Sequence, residues 1–269
     1  MSWSRGAVLV LSATQIVLCV ISGGIVGFSL GLIGGGGTIL AVPLLLYVVG
    51  IHDPHLVIGT TAFAVSMNAL INLIPHAMAG NVKWSPAWRF AIVGIAGALV
   101  GSEIGKAIGG GVLLIVFAVL MFWVAYTMIV ENGLPSSMLT QENIHRRLYF
   151  YGGGVGMLSG IFGIGGGFLI VPALMHSVRM PILNAIASSL VAVGSLGAAT
   201  AASYAFSGLV DWHISAYYLI GGMFGGWLGA RTATRLGERK RTLNYLFAII
   251  IVIVAIYILI KEGCHVFKF

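Results

Sequence analysis

The chain has 269 residues, of which 59% are hydrophobic and only 8% are charged, and its mean hydropathy is +1.04. Such a composition cannot be hidden inside a water-facing surface, so it excludes an ordinary soluble globular protein and predicts an all-α, polytopic helical membrane protein. The formal net charge is +7, but the basic residues are scattered between apolar segments, which excludes a nucleic-acid-binding module.

Apolar segments follow one another along most of the chain. A helix that spans a bilayer needs about 20 mostly apolar residues. The segment that follows Arg5 resembles a secretion signal, but it is long and lacks a small-residue cleavage site, so we expect it to remain in the mature protein. The segments lie near 7–33, 38–50, 55–80, 86–107, 111–130, 149–177, 182–207, 214–230 and 242–260.

Two glycine runs, near residues 34–37 and 163–167, interrupt apolar segments. Each run lies between apolar limbs of about 13 residues, which are too short to span at 1.5 Å per residue. Glycine is expected to break the helix at both places. The result is either a single span unwound in its middle or a re-entrant hairpin that returns to the side from which it came.

The chain contains an internal duplication. A shift of 129 residues superimposes the two glycine-rich segments, with Gly23 on Gly152, and a shift of 128 residues places Thr60 on Ser188 further along. Duplicated halves are typical of secondary transporters. The predicted division is a first transmembrane repeat at 1–133, a connecting loop at 134–147 and a second transmembrane repeat at 148–269.

The distribution of lysine and arginine favours re-entrant hairpins. If each glycine-broken unit spans, the chain has eight spans and its 14 basic residues divide equally between the two faces. If each unit is re-entrant, each half has three full spans, the halves are inverted, and ten basic residues share the face predicted to be cytoplasmic. Residues 7–21 could extend the first limb to a full span, which leaves the side of the amino terminus open.

An anion-binding site is predicted at the glycine runs. Backbone N–H groups freed at a broken helix form a cradle for an anion, and glycine lets the anion approach closely. Hydroxyl pairs that recur at matched positions in both halves add donors at membrane depth. The candidate substrate-binding residues are Gly34, Gly35, Gly36, Gly37, Thr38, Thr60, Thr61, Gly163, Gly165, Gly166, Gly167, Ser188 and Ser189.

Other polar and small residues have more than one interpretation. His76 could titrate during transport, and Glu103 and Arg231 occupy matched positions where intramembrane charge suggests gating. Alternatively, these side chains are interfacial or snorkel to the membrane surface. A further set of matched glycines is predicted to serve close helix packing. These are Gly94, Gly97 and Gly101 in the first half and Gly222, Gly225 and Gly229 in the second.

The paired motifs GLIGGGGTILAVP at 31–43 and GIFGIGGGFLIVP at 160–172, followed by GTT at 59–61 and ASS at 187–189, resemble the TauE/SafE sulfite exporter family. The resemblance covers nearly the whole chain. It implies a multi-pass transporter of the cytoplasmic membrane that carries sulfite, sulfoacetate or related organosulfonates, often as an exporter. The lipid bilayer and the sulfur anion are the expected partners, while a coupling proton or ion and a homodimer are left open.

Two other functions compete with a carrier. A passive anion channel would use the same glycine-lined site without closing it. A membrane enzyme is disfavoured, because the seven acidic residues are spread singly and the two cysteines, Cys19 and Cys264, lie at opposite ends of the chain. We therefore expect no catalytic residues, no cofactor and no metal site.

Overall fold

The structure is a computed structural model that describes residues 11–130, 141–178, 180–235 and 240–266, and every regular element in these ranges is helical. The all-α prediction is confirmed. In the first half of the chain the elements are α1 (Ala13–Ile33), a 3-10 helix (Gly34–Leu40), α2 (Ala41–Pro43), a π-helical turn (Leu44–Val48), α3 (Pro54–Met78), α4 (Trp84–Ala107) and α5 (Gly110–Val130). They are followed by α6 (Gln141–Phe162), α7 (Gly167–Val178), α8 (Ile182–Phe206), α9 (Trp212–Arg235) and α10 (Lys240–Val266).

Several of these helices have the length and composition of membrane spans. Among the described residues, four apolar stretches of 20 to 25 residues qualify: Ala13–Leu32, Pro54–Met78, Trp84–Ala107 and Leu183–Phe206. Such stretches are long enough to cross a hydrocarbon core of about 30 Å. The chain is therefore a multi-pass membrane protein, as its composition predicts.

Short polar signals fix where individual helices begin. The Ser12 hydroxyl accepts a hydrogen bond from the Gln15 N–H, and the Gln15 side chain accepts one from the Ser12 N–H, which completes a capping box at the start of α1. The carboxylate of Asp53 accepts from the N–H of His55 at 2.9 Å before α3. Asp211 accepts from the N–H of His213 at the same distance before α9.

The chain reverses its direction at the first glycine run. A Cβ at Gly37 would overlap the side chain of Ser29, which lies eight residues earlier and would be about 12 Å away in a continuous helix. At the other end of the hairpin, Gln15 Nε2 donates to the carbonyl of Val49 at 3.3 Å. The start of α1 and the end of the π-helical turn therefore lie side by side.

The second glycine run also reverses the chain. A Cβ at Gly166 would lie 3.0 Å from Val155 Cγ1 and 3.1 Å from Ser159 Cβ, although these residues precede it by two to three helical turns. The two entering helices are longer than the expected limbs of about 13 residues, since α1 has 21 residues and α6 has 22. The extension of the first limb, left open by residues 7–21, is present in the apolar helix α1, whereas α6 extends through polar residues and begins at Gln141 within the predicted connecting loop.

The elements of the first half pack against those of the second in reciprocal pairs. The 3-10 helix packs against α7, α3 against α8, and α5 against α10, while α1 crosses α9 and α4 crosses α6. The core therefore lies between the halves rather than within each of them. These reciprocal contacts are those expected of a duplicated chain.

Glycine allows the close crossings between the halves. A Cβ at Gly97 would overlap the Gly153 carbonyl oxygen of α6, and one at Gly225 would overlap the Gly24 carbonyl oxygen of α1. At such positions only a residue without a side chain lets two backbones approach. The predicted packing role of these matched glycines is confirmed.

Hydrogen bonds define two ends of the helical bundle. Lys106 Nζ at the end of α4 donates to the Ser207 hydroxyl after α8 at 2.9 Å, so α4 and α8 finish at one end, called here the Lys106 end. The N–H of Lys83 before α4 donates to the Ser188 hydroxyl near the start of α8 at 2.9 Å, which defines the opposite, Lys83 end. Arg89 and Arg231 lie toward the Lys83 end, the end predicted to be cytoplasmic.

The inverted orientation of the halves stays a prediction that cysteine labelling tests. Gly109 and Gly208 are exposed at the Lys106 end and Gly80 at the Lys83 end. After Cys19 and Cys264 are replaced, we expect Gly109→Cys and Gly208→Cys to react with an impermeant maleimide on intact cells, and Gly80→Cys only after lysis. Labelling of Gly109→Cys and Gly208→Cys from opposite sides would instead support eight spans.

Candidate anion site at the glycine breaks

The second glycine break, residues 163–167, has a backbone that only glycine adopts easily. Gly163, Gly165 and Gly166 have φ values of +64°, +64° and +63°. Side chains disfavour this left-handed region because Cβ approaches the following carbonyl oxygen. A turn such as the one at residues 165 and 166 can bring successive backbone N–H groups to one concave side, an arrangement that binds anions in other proteins.

The N–H groups of the second break belong to buried residues, and no described residue accepts from them. In the described part of the chain, the N–H groups of Ile164, Gly165 and Gly166 donate to no acceptor, and all three residues are buried. The N–H of Gly163 still bonds to the Ser159 carbonyl at 2.8 Å, which ends α6. Buried N–H groups without an acceptor are rare in folded proteins, so this cluster requires a functional explanation.

Ser159 adds a hydroxyl group to the second break. Its side chain is 0% exposed, lies on α6 next to Gly166, and makes no hydrogen bond through Oγ. Helix α7 begins directly after the break, and the positive end of its dipole favours an anion at this point. Neutral donors and a helix terminus therefore meet at one buried place.

Helices α3 and α8 enclose the second break. A Cβ at Gly163 would overlap the carbonyl of Ile58, and one at Gly165 would lie 2.9 Å from Val193 Cγ1 and 3.5 Å from Val65 Cγ1. The break is therefore held between the two helices that pack together at the centre of the bundle. Its apolar surroundings lower the local dielectric and strengthen any hydrogen bond to a charged ligand.

The first glycine break, residues 34–37, has a similar position against the other half. Gly34 has a φ of +74°, and its Cβ would lie 2.9 Å from Ile186 Cγ2 on α8. Thr38 follows the break in the 3-10 helix and is fully buried. The surroundings of Gly35 and Gly36 lie outside what the structure describes. Because the 3-10 helix packs against α7, the structure brings the two breaks into one neighbourhood.

The four matched hydroxyl residues already have partners. Thr60 Oγ1 accepts from the N–H of Asp211 at 3.0 Å, and Ser188 Oγ accepts from the N–H of Lys83 at 2.9 Å, so each holds a turn of the other half. Thr61 donates to the Val57 carbonyl at 2.8 Å and Ser189 to the Ile186 carbonyl at 2.7 Å, each within its own helix. Their role as site lining stays a prediction.

The three candidate gating residues are far apart along the bundle axis. Glu103 pairs with Lys106 at 2.7 Å and accepts from Ser203 Oγ at 2.9 Å at the Lys106 end. Arg231 lies toward the opposite end, where its guanidinium stacks 3.8 Å from the centre of the Trp227 ring. His76 is half-buried near the Lys83 end. The structure therefore does not bring these residues together, and their gating role stays a prediction.

Sequence reasoning missed Ser159, since a lone serine in an apolar helix gives no signal of its own. Its importance comes from the reversal of the chain, which places Gly166 against it. Among the described residues, no group of three or more His, Cys, Asp or Glu side chains could hold a metal ion.

Comparisons with known proteins agree on a membrane transporter. The model of the family described as "Sulfite exporter TauE/SafE" matches residues 19–258. A "probable membrane transporter protein" of Xylella fastidiosa is 48% identical over 253 residues, which cover 93% of this chain and 97% of that protein. YunE of Bacillus subtilis, with the same description, is 25% identical over 92% of this chain and 98% of its own length. No solved structure matches the chain significantly.

Proposed function

Because the chain belongs to the TauE/SafE sulfite exporter family, we propose that it carries sulfite, sulfoacetate or a related organosulfonate across the cytoplasmic membrane. The proposed mode is secondary transport by alternating access, and the proposed direction is export. That the chain is a membrane transporter follows from the family and the relatives; the substrate and the direction are our proposal.

The cluster of N–H groups at the buried second glycine break, for which no described residue is an acceptor, is the observation that supports the proposal most strongly. Sulfite and sulfonates present three oxygen atoms around sulfur, and Ile164, Gly165 and Gly166 offer three consecutive backbone donors. A hydrogen bond to a charged group contributes roughly 1.5–3 kcal/mol, so a few such bonds offset much of the cost of desolvating the anion.

Neutral donors suit a carrier better than a fixed cation would. A buried lysine or arginine would hold a desolvated anion tightly and would itself be costly to bury when the site is empty. Backbone N–H groups and hydroxyls bind less tightly, which lets the anion leave again. In the proposed cycle the inverted halves rock about the paired breaks and open the site to each face in turn.

Flux measurements in proteoliposomes test the proposed function. We expect saturable uptake of labelled sulfite and of methanesulfonate, with counterflow when unlabelled anion is present on the opposite side. Saturation and counterflow identify a carrier, whereas a flux that rises linearly with concentration without counterflow would identify a channel. If the purified, folded protein moved neither anion, the proposed substrate class would be wrong.

A further inference from the structure

An open apolar groove lies beside the first glycine hairpin. Its volume is about 950 Å³, and its walls are α1, the return limb of the hairpin at residues 34–48, α9 and α10. Helix α10 packs mainly against α5 and forms the outer wall. The groove is filled by hydrocarbon in a bilayer, because its walls offer water few polar partners. The most exposed apolar side chains along it are Ile21 (51%), Leu228 (52%), Ile253 (61%) and Phe224 (73%).

The groove extends about one leaflet deep from the Lys106 end. A Cβ at Gly59 of α3 would overlap the carbonyl oxygen of Leu209, which follows α8, so α3 begins at this end. Tyr47 at the end of the return limb therefore lies there too. On α10, Ile250 lines the groove and Lys261 follows 11 residues later, roughly 16 Å along the helix. This length is close to half of a hydrocarbon core of about 30 Å and suits one acyl chain.

The inner part of the groove reaches the first glycine break. Ser29 lines the groove, and a Cβ at Gly37 of the break would overlap its side chain. The Ser29 hydroxyl donates to the carbonyl of Ile25 at 2.9 Å, so its hydrogen needs no partner in the groove. Leu40 and Pro43 of the return limb complete this part of the wall. A hydrocarbon chain in the groove would therefore lie directly against the return limb.

Charged and aromatic side chains lie at the mouth of the groove. Lys261 Nζ is 4.6 Å from the centre of the Tyr47 ring and 6.0 Å from that of Tyr257, and both rings line the groove. The Tyr47 hydroxyl donates to Glu262 Oε1 at 3.2 Å. Lys261 is exposed and forms no ion pair with any residue that the structure describes. An ammonium group and a carboxylate therefore lie side by side above an apolar groove.

We propose that this groove binds one molecule of a zwitterionic phospholipid, phosphatidylethanolamine. The lipid phosphate binds Lys261, the lipid ammonium binds Glu262, and one acyl chain fills the groove as far as Ser29. Phosphatidylglycerol fits less well, because it has a phosphate for Lys261 but no cation for Glu262. The bound chain fills the space between the return limb and α10 and so stabilises the first glycine hairpin. This inference holds whichever anion the protein carries.

Lipid binding to the purified protein tests the inference. Delipidated protein is titrated with dioleoyl phosphatidylethanolamine or dioleoyl phosphatidylglycerol, bound molecules are counted by native mass spectrometry, and the thermal midpoint is measured in the same mixtures. Glycerophosphoethanolamine and inorganic phosphate, which lack acyl chains, distinguish a lipid from a free headgroup or a free phosphate. Ile253→Trp fills the groove. Ile256→Trp is the matched control, because Ile256 is 45% exposed on the same helix and does not line the groove.

We expect one molecule of phosphatidylethanolamine per chain, bound roughly 5-fold more tightly than phosphatidylglycerol, with a rise in the thermal midpoint. The two compounds without acyl chains should leave the midpoint unchanged. Ile253→Trp should lose both the bound lipid and the rise, whereas Ile256→Trp should keep both. Lys261→Gln should bind both lipids roughly 5-fold more weakly, and Glu262→Gln should abolish the preference for phosphatidylethanolamine.

Equal affinity of the wild type for the two lipids would overturn the inference, as would a wild type that binds neither. Equal loss of lipid in Ile253→Trp and Ile256→Trp would place the lipid outside the groove. A rise in the midpoint with glycerophosphoethanolamine or phosphate alone would show that no acyl chain is needed. A wild-type dimer that Ile253→Trp dissociates would show that a second copy of the chain covers the groove. If Ile253→Trp does not fold, the lipid preferences of Lys261→Gln and Glu262→Gln decide.

Discussion

Sulfite flux is expected to fall at least 100-fold when Gly165 is replaced by alanine. The residue has a φ of +64°, and its Cβ would lie 2.9 Å from Val193 Cγ1. Relief of both constraints rotates the adjoining peptide groups and redirects the N–H groups of Gly165 and Gly166. Two lost hydrogen bonds to a charged ligand amount to roughly 3–6 kcal/mol, which corresponds to more than 100-fold in affinity.

Gly80→Ala is the matched control for this prediction. Gly80 has a φ of +71°, but no atom lies within 4 Å of its Cβ position. Both substitutions therefore carry the left-handed strain of about 1–2 kcal/mol, and only one alters the second break. Initial rates in proteoliposomes at equal protein content separate the two effects. If both variants lost transport rate equally, backbone strain alone would explain the effect.

The second large effect is expected at the crossing of α1 and α9. A Cβ at Gly27 would overlap the carbonyl oxygen of Gly222 and lie 2.6 Å from its Cα, so the two backbones must separate. Overpacking of this kind costs typically 1–3 kcal/mol. We expect Gly27→Ala to lower the thermal midpoint of the purified protein in detergent, with loss of material at the monodisperse position in size-exclusion chromatography.

Gly24→Ala, on the same helix, is expected to leave the stability of the protein unchanged or to raise it. The nearest atom to its Cβ position is the Gly221 carbonyl oxygen at 3.6 Å, an ordinary van der Waals contact. Alanine favours a helix over glycine by up to about 1 kcal/mol, so this variant should be as stable as the wild type or more so. Equal destabilisation of the two variants would show that the close crossing does not control stability.

The broad architecture could be predicted from the sequence because its signals are local or repeated. Apolar segments indicate helices without knowledge of their neighbours, and the glycine runs mark both places where the chain reverses. The length of α6 could not be predicted from hydropathy, since this helix begins in polar residues. Helix ends depend on caps such as the Ser12 and Gln15 pair, which hydropathy does not register.

The candidate site was harder to predict for a different reason. Matching the two halves draws attention to residues that are alike, such as Thr60 and Ser188, and the structure gives both of these a partner in a turn. Ser159 is conspicuous only because the folded chain places its side chain, buried and without a partner, against Gly166. A hydroxyl or amide can bond to its own helix, a loop or a ligand, and only the folded chain distinguishes these.

The paired turn contacts have a consequence for the origin of the molecule. Thr60 binds the N–H of Asp211, and Ser188 binds the N–H of Lys83, so the same bond is made twice with the halves exchanged. Before the gene was duplicated and fused, two separate copies of one shorter chain could have made these bonds as an isologous dimer, provided that the copies inserted in opposite directions. Fusion would then have freed the two halves to change independently of each other.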